Sequence, residues 1–534
     1  LRSWQSLDFN SFAAHNANSD SEDIKRQPYS RLQQTIYKNQ RMKSLLLYSI
    51  FTLIASNVTA DSITPGTNSA TVGGSPPSSM GNAPPSGGNS ATSIFLTGSY
   101  VVSNTTVTNS SITVVATASN SSAVLITNDG HLILSGASIT KSGNTTSDDD
   151  SNFYGLNAAV VAQNSSSLTI SNSNIESSSE GSNAIFSTGT GSMIHAYNIT
   201  IKTTMNSSRG LDATQMGSIY AQNATITTYG DHCGALANDR GTGIVMLDDA
   251  LINTYGSGSP VVYSTGNITA SNVVGTAHGS SAVVVEGANN ATLMNCNLSG
   301  AGNQVQPYGI MLYQSTSGDA ENGIAIFNMT YGRLSYTASS GSLFYITNTN
   351  SRLYLTNVTL SYSTNTLIKA SADSWGNSGS NGGDLTFAAT NQILSGNVVC
   401  DNISSIAISL NNTSSLTGSI NSNNTAKFIS LTIDSSSIWN VTGPSYLSSI
   451  AADNTSFTNI YGNGYDVYYL TDNNTWLGGK QYSLQNGGNL VALSASTASN
   501  NTSPLSSGAS PGTLSNQLLF TSLCIFLAIA TYML

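Results

Sequence analysis

One phrase recurs along this chain and limits what it can fold into. It reads "LTISNSNIES" from Leu168, "IHAYNITIKT" from Ile194, "IYAQNATITT" from Ile219 and "VMLDDALINT" from Val245. It returns as "ITASNVVG" from Ile268, "LMNCNLSG" from Leu293, "AIFNMTYG" from Ala325 and "YLTNVTLS" from Tyr354. Each copy alternates apolar and polar residues, reaches an Asn or Asp, then resumes. The marked column is Asn172, Asn198, Asn223, Asp249, Asn272, Asn295, Asn328 and Asn357, with early steps of 23 to 26 residues.

Alternation with period two is the pattern of strands. About two dozen residues suffice for one coil of three short strands joined by tight bends. A bend needs a residue that tolerates left-handed backbone angles, and Asn does this best among residues with a Cβ. Stacked at the ~4.8 Å inter-strand spacing, its amides can hydrogen-bond from coil to coil. No coil buries its apolar face alone, so many must stack. The expected fold is all-β: a single-stranded, right-handed parallel β-helix over residues 94–492. At about 25 residues per coil it is a solenoid of about 16 coils. Ladder amides are expected to be buried and closed to glycan, unlike loop sequons.

The charge pattern narrows the partners. Only 8% of residues are charged and the net charge is −10, against a usual ~25% charged. Seven of the sixteen Lys and Arg precede residue 44, which leaves the rest strongly acidic. Nucleic acid and anionic lipid are poor partners for such a surface. The cysteines, Cys233, Cys296, Cys400 and Cys524, have no metal-ligand spacing. Cys524 lies in the C-terminal apolar tail, the other three read as small buried residues, and no metal or cofactor is expected. Cys233 and Cys296 are 63 residues apart, two to three coils, too far for a disulfide.

Both ends carry processing signals. "MKSLLLYSIFTLIASNVTADS" from Met42 has a basic start, an apolar run and small residues at Val58 and Ala60. It reads as a signal peptide over 42–60, with 1–41 a gene-model extension or disordered leader. Residues 61–93 are a Gly/Ser/Pro linker and 493–508 a Ser/Thr/Asn stalk. At the far end come small residues around Ser507, a polar spacer and an apolar tail from Leu518 to Leu534. That order over 509–534 is a GPI-attachment signal with Ser507 as the attachment residue. A single C-terminal transmembrane helix is the alternative. Sequons such as Asn104, Asn144, Asn206 and Asn454 fit an exported glycoprotein.

Charge gathers at "GDHCGALANDRGTG", Gly230–Gly243. Asp231–His232 precede an expected strand at Gly234–Ala237, and Asp239–Arg240 follow it. Extended backbone holds the two pairs roughly 15–20 Å apart. Arg209 and Asp212 are expected near Asp231 one coil down, and His278 two coils up. Asp239–Arg240 is expected to stack on neutral residues. The seven form a candidate ligand-contacting set, with a salt-bridged structural edge as the plainer reading. "DDD" at 148–150 reads as a solvated loop.

These repeats resemble right-handed β-helix, pectin-lyase-like surface proteins of bacteria and fungi, some adhesin-like. The likeness is clearest in "LTIDSSSIWNVTGPSYLSSIAADNTSFTNI" (431–460), "GNGYDVYYL" and "LGGKQYSLQNGGNL", similar to the last coils of autotransporter passenger domains. "GDHCGALANDRGTG" and "MLYQSTSGDAENG" (311–323) resemble phrases of the same group. The resemblance implies the fold; function varies widely on it. A polygalacturonase of this fold would supply N-x-D, Asp-Asp, G-H-G and R-I-K. Asp248–Asp249 and the "AHGSS" around His278 approach two of these, and no R-I-K follows. The expectation is a non-catalytic, glycosylated, GPI-anchored surface protein, adhesin-like or structural, on the outer face of the plasma membrane or in the wall. It would meet extracellular glycans or wall polysaccharide. A secreted polysaccharide lyase or glycoside hydrolase is the alternative.

Overall fold

A computed structural model of the chain describes residues 94–304 and 306–494. The leader, signal peptide, linker, Ser507 and attachment signal lie outside these residues, as does most of the stalk. The described residues all belong to one compact unit. They form a right-handed parallel β-solenoid of about 16 turns.

One coil shows how the sequence builds the rest. The strand Met193–Thr203 alternates buried and outward residues on both sides of Asn198. A short turn leads to Leu211–Thr214, and another to Ser218–Thr228, where the next coil begins. Ile194 lies over Leu168 and under Ile219. Ile201 lies in the same way between Ile175 and Ile226. Each inward column is therefore apolar from coil to coil, and the stack buries what one coil cannot. The short strands make a twelve-stranded parallel sheet, here sheet A. The long strands make sheet B, which turns through the Asn column and so covers two sides of each coil.

The bend column is a row of left-handed residues. Asn172, Asn198, Asn223, Asp249, Asn272, Asn295 and Asn357 have φ between 50° and 61°. Asn198 Nδ2 donates to Asn172 Oδ1 at 2.7 Å, and Asn295 Nδ2 to Asn272 Oδ1 at 2.7 Å. At Asp249 the ladder shifts sideways, and Asn272 Nδ2 donates to Asp248 Oδ1 at 2.7 Å. Asn328 is not in the column. It pairs with Thr292 inside the strand Ile324–Tyr336, and Tyr331, φ 60°, makes the bend. Phe327 and Met329 lie over Ala291 and Leu293, and the strand starts earlier with a further buried residue, Ala325, so the bend falls three residues beyond Asn328. The ladder amides are also exposed and not buried, because a left-handed bend turns its side chain away from the core.

A second ladder runs inside the turn before sheet A. The Ser182 N–H donates to Ser208 Oγ at 3.0 Å, Ser208 N–H to Cys233 Sγ at 3.1 Å, and Cys233 N–H to Ser259 Oγ at 2.9 Å. Cys233 stands where the neighbouring coils have serine. Cys233, Cys296 and Cys400 are free and buried. At the end of the described solenoid, Tyr482–Ser483 pair antiparallel with Asn489–Leu493.

Candidate functional site

A solenoid sheet has one inner and one outer face, so alternate residues of sheet A should meet water. They do not. All four residues of Leu211–Thr214 are buried, as are those of Ile185–Thr188 and Val283–Glu286. Inserted segments cover the outer face. The first is a helix, α1, Asp148–Tyr154. "DDD" is thus the first turn of a helix and not a loop. The Asp150 N–H donates to Ser147 Oγ at 3.2 Å, and three carboxylates lie at the positive end of the helix dipole. Gly155, φ 80°, stops it. Thr214 Oγ1 donates to the Phe153 carbonyl at 2.9 Å and Asn183 Nδ2 to that of Ser151 at 3.1 Å, which seats α1 on the sheet. The second cover is the 314–323 segment. A third, around Trp375, packs on Tyr313.

Beneath these covers lies a charge cluster. Arg209 Nε is 2.8 Å from Asp239 Oδ2 and 3.9 Å from Asp212 Oδ2. Arg209 Nη1 donates to Asn152 Oδ1 of α1. Arg240 lies over the Phe153 ring, 3.9 Å from its centroid, and its Nη2 donates to Asp319 Oδ1 at 3.1 Å. Asp212 is 0% exposed and Asp239 3%. Two coils on, Glu286 accepts from Tyr263 Oη and Tyr313 Oη, each at 2.8 Å, and from the Ser315 N–H at 3.3 Å.

Burial penalises charge here, and nearby carboxylates add repulsion. Burial first, then Asp319 and Glu286, push Asp239 up to about 7, although Arg209 pulls the other way. Asp212 is pushed well above the carboxylate range by burial and by Asp239. Tyr263 and Tyr313 are raised by burial and by Glu286.

This arrangement differs from the expected one. Arg209 and Asp212 meet Asp239 and not Asp231, because Asp212, in Leu211–Thr214, and Asp239, just after Leu236–Asn238, both point outward from adjacent coils. Leu211, Asp212 and Ala213 pair with Leu236, Ala237 and Asn238, so Asp239 comes beside Thr214 and away from Asp231. Asp239–Arg240 therefore has charged partners rather than neutral ones. The strand between the two pairs is Leu236–Asn238. Asp231 and His232 are exposed at the preceding turn. Asp231 Oδ1 accepts from the Ser257 N–H at 2.7 Å, and its own N–H donates to Asn206 Oδ1 at 2.9 Å. His232 holds a left-handed bend, φ 56°. His278 is in a different column, stacked on Tyr255 at 4.4 Å, with Tyr255 on Tyr229 at 4.9 Å. Asp248 accepts from Ser271 Oγ at 2.7 Å as part of the bend. Among the loop sequons, Asn104, Asn144 and Asn206 are exposed and Asn454 half-buried.

Sequence reasoning missed Asn152, Phe153, Tyr263, Glu286, Tyr313 and Asp319. Glu286 carried a signal: "AVVVEG" and "ALAND" both end an apolar strand of sheet A with an acid. Nothing local marks Asn152 or Asp319, which arrive on insertions. Beyond Arg240, an open neutral cleft of about 230 Å³ is lined by Thr242, Asn267, Asn289, Asn290 and Ile324 among others. Among the described residues, no group of three or more His, Cys, Asp and Glu is placed to hold a metal ion. None of their helices is long and apolar enough to cross a membrane. No family model, curated protein or solved structure matches the chain.

Proposed function

We propose that the chain is a non-catalytic surface protein of the pectin-lyase-like β-helix kind, glycosylated and lipid-anchored, adhesin-like or structural. One observation carries this reading. The carboxylates that a β-helix polysaccharide enzyme would present in an open groove are here committed to Arg209 beneath α1. Asp212 and Asp239 are almost fully buried, so a sugar chain has no path to them in this conformation. The open cleft offers Asn267 and Asn290 amides beside Ile324, chemistry that suits a neutral glycan better than a charged one. Acidic composition and exposed sequons support an extracellular setting. A glycan array with residues 61–507, run beside a sugar-release assay on pectins and wall glycans, tests the proposal. Binding without release supports it; release of sugar overturns it.

The second reading, a polysaccharide lyase or hydrolase, rests on the same carboxylates. Asp212 and Asp239 come from adjacent coils and flank one guanidinium, and a raised Asp239 could act as a general acid. Asp239→Asn should then lower any sugar release by about 10²-fold or more.

A further inference from the structure

Charge as well as packing holds the cover over sheet A. Arg240 touches both main covers, the Phe153 ring of α1 and Asp319 of the 314–323 segment. Arg209 ties α1 to the sheet through Asn152. Gln314 Nε2 donates to the Ala320 carbonyl at 3.2 Å, and Glu286 accepts from the Ser315 N–H. These clamps stand on an unbalanced charge set. Fully ionised, Asp212, Asp239, Glu286 and Asp319 bring four negative charges against two on Arg209 and Arg240. Asp148, Asp149 and Asp150 at the start of α1 add the same sign. Apart from its long contact with Arg209, neither oxygen of the buried Asp212 side chain has a side-chain donor among the described residues.

We infer that α1 and the 314–323 segment form a proton-held cover, closed while Asp212 and Asp239 keep at least one proton between them and loosened as both ionise. With Asp212 neutral, Arg209 serves Asp239 alone, and its second nitrogen remains free for Asn152. With both ionised, one guanidinium must neutralise two buried carboxylates, and the cheapest relief is to lift α1 and admit water. The groups facing the pair come from every packed element: Arg209 and Cys233, Arg240, Tyr263, Glu286 and Tyr313, Asp319, and Asn152 of α1. Burial pushes the tyrosines and the Cys233 thiol upward, Cys233 to about 12, so they stay neutral across the relevant range. Asp239, raised by burial to about 7, and Asp212, raised well above the ordinary carboxylate value by burial and by Asp239, do not.

The sign follows from linkage. An uncovered carboxyl titrates near ~3.9, and the covered pair titrates higher. The closed form thus binds more protons, and its stability is complete in acid and lost as pH rises through the ionisation of the pair, Asp239 at about 7 and Asp212 well above its ordinary value. Opening would present Arg209, Asp239 and Tyr263 to solvent, so the surface offered to a partner changes with ambient pH.

Hydrogen exchange of the intact protein at about pH 5.5 and about pH 8.5, corrected for intrinsic rates, reads the cover directly. The Ser151, Gly155 and Leu156 amides, bonded within α1 and its cap, should lose at least about tenfold in protection at the higher pH. Amides of Met193–Thr203 should not change. Asp212→Asn should keep α1 protected at both pH values. Equal protection of wild-type α1 at both, or an Asp212→Asn protein that loosens as wild type does, overturns the inference. Asp319→Asn provides a second check should Asp212→Asn fail to fold. It removes one rim charge and should move the loosening to higher pH; an unmoved transition overturns the inference as well.

Discussion

Asp212 and Asp239, from neighbouring coils, flank a single nitrogen, Arg209 Nε, at 3.9 and 2.8 Å. The contact is nearly dry, with the Arg209 and Asp239 side chains 8% and 4% exposed. Removing one partner from a buried ion pair leaves an uncompensated charge. Arg209→Ala should therefore destabilise the solenoid by about 3–5 kcal/mol. Replacing the set with Arg209→Met, Asp212→Leu and Asp239→Leu should cost far less, since an apolar set of similar volume has no charge to bury. Chemical denaturation of both proteins measures the contrast. Equal losses would mean that the site is held by packing alone.

Lys141 offers a titration of opposite sign. Its side chain is fully buried, and Nζ donates to the carbonyls of Ser142, Gly143 and Ala118 at 2.6, 2.7 and 3.0 Å. Among the described residues no carboxylate pairs with it, and burial lowers it to about 8. A lysine lowered in the folded state binds fewer protons there than when unfolded. Its cost is full below about 8, and fades toward the ordinary ~10.4. Local protection around Ser138–Lys141 should thus rise between those values while α1 stays loose. Lys141→Ala should cost about 1–3 kcal/mol by leaving its carbonyls without a donor. A Lys141→Ala protein as stable as wild type would show that water replaces the ammonium.

The exposed face carries less weight. Asp231 is exposed, and its main tie is one bond from the Ser257 N–H. Asp231→Ala should cost about 0–1 kcal/mol. His232→Gly should be neutral or mildly stabilising, because glycine adopts the left-handed bend freely. Thermal unfolding checks both. A loss above about 2 kcal/mol for either would mark this turn as a structural lock.

Asn198 and Asn223 are both sequons and stacked neighbours, with Asn223 Nδ2 donating to Asn198 Oδ1 at 3.2 Å. Both are exposed, so burial does not bar a glycan from either. Spacing does limit two at once, since coils stack only ~4.8 Å apart. Glycopeptide mass spectrometry of a secreted preparation should find at most one of the two occupied per molecule, and Asn144 and Asn206 occupied independently. Frequent double occupancy would rule out the stacked geometry.

Much of this fold is legible in the sequence because a solenoid writes its core as a column. Ile175, Ile201, Ile226 and Ile252 fall in register, and each is no more than 1% exposed. The site was half legible. Arg209, Asp212, Asp239 and Arg240 stand out against a neutral background, but their grouping depends on which strand face each one takes. A shift of one residue in sheet A register decides whether Asp239 stands beside Thr214 or Gln215, hence whether it reaches Arg209. Asn152, Phe153 and Asp319 lie on insertions, where no column exists to align. Asp319 is 79 residues from Arg240, its ion-pair partner, and no periodic rule joins them.

Tyr331 tests the register of the bend column most sharply. It holds φ 60° between Asn295 below and Asn357 above, and the residue is 44% exposed. A left-handed backbone costs a residue with a Cβ about 1–2 kcal/mol, and Asn recovers part of that through local hydrogen bonding. An Asn side chain there could also donate to Asn295 Oδ1, as Asn295 Nδ2 does to Asn272. The exposed ring gives up little burial. Tyr331→Asn should therefore stabilise the solenoid by about 0.5–1.5 kcal/mol. Gly332 should resist change, because a Cβ there would come within 2.1 Å of the Cys296 carbonyl oxygen. Asn328→Ala, half-buried beside Thr292 within the strand, should alter stability by less than about 0.5 kcal/mol. If Asn328 were the bend residue, the pattern would reverse: Asn328→Ala would cost about 1 kcal/mol or more, and Tyr331→Asn would bring no gain. Thermal unfolding of the two single variants, measured side by side, distinguishes these registers.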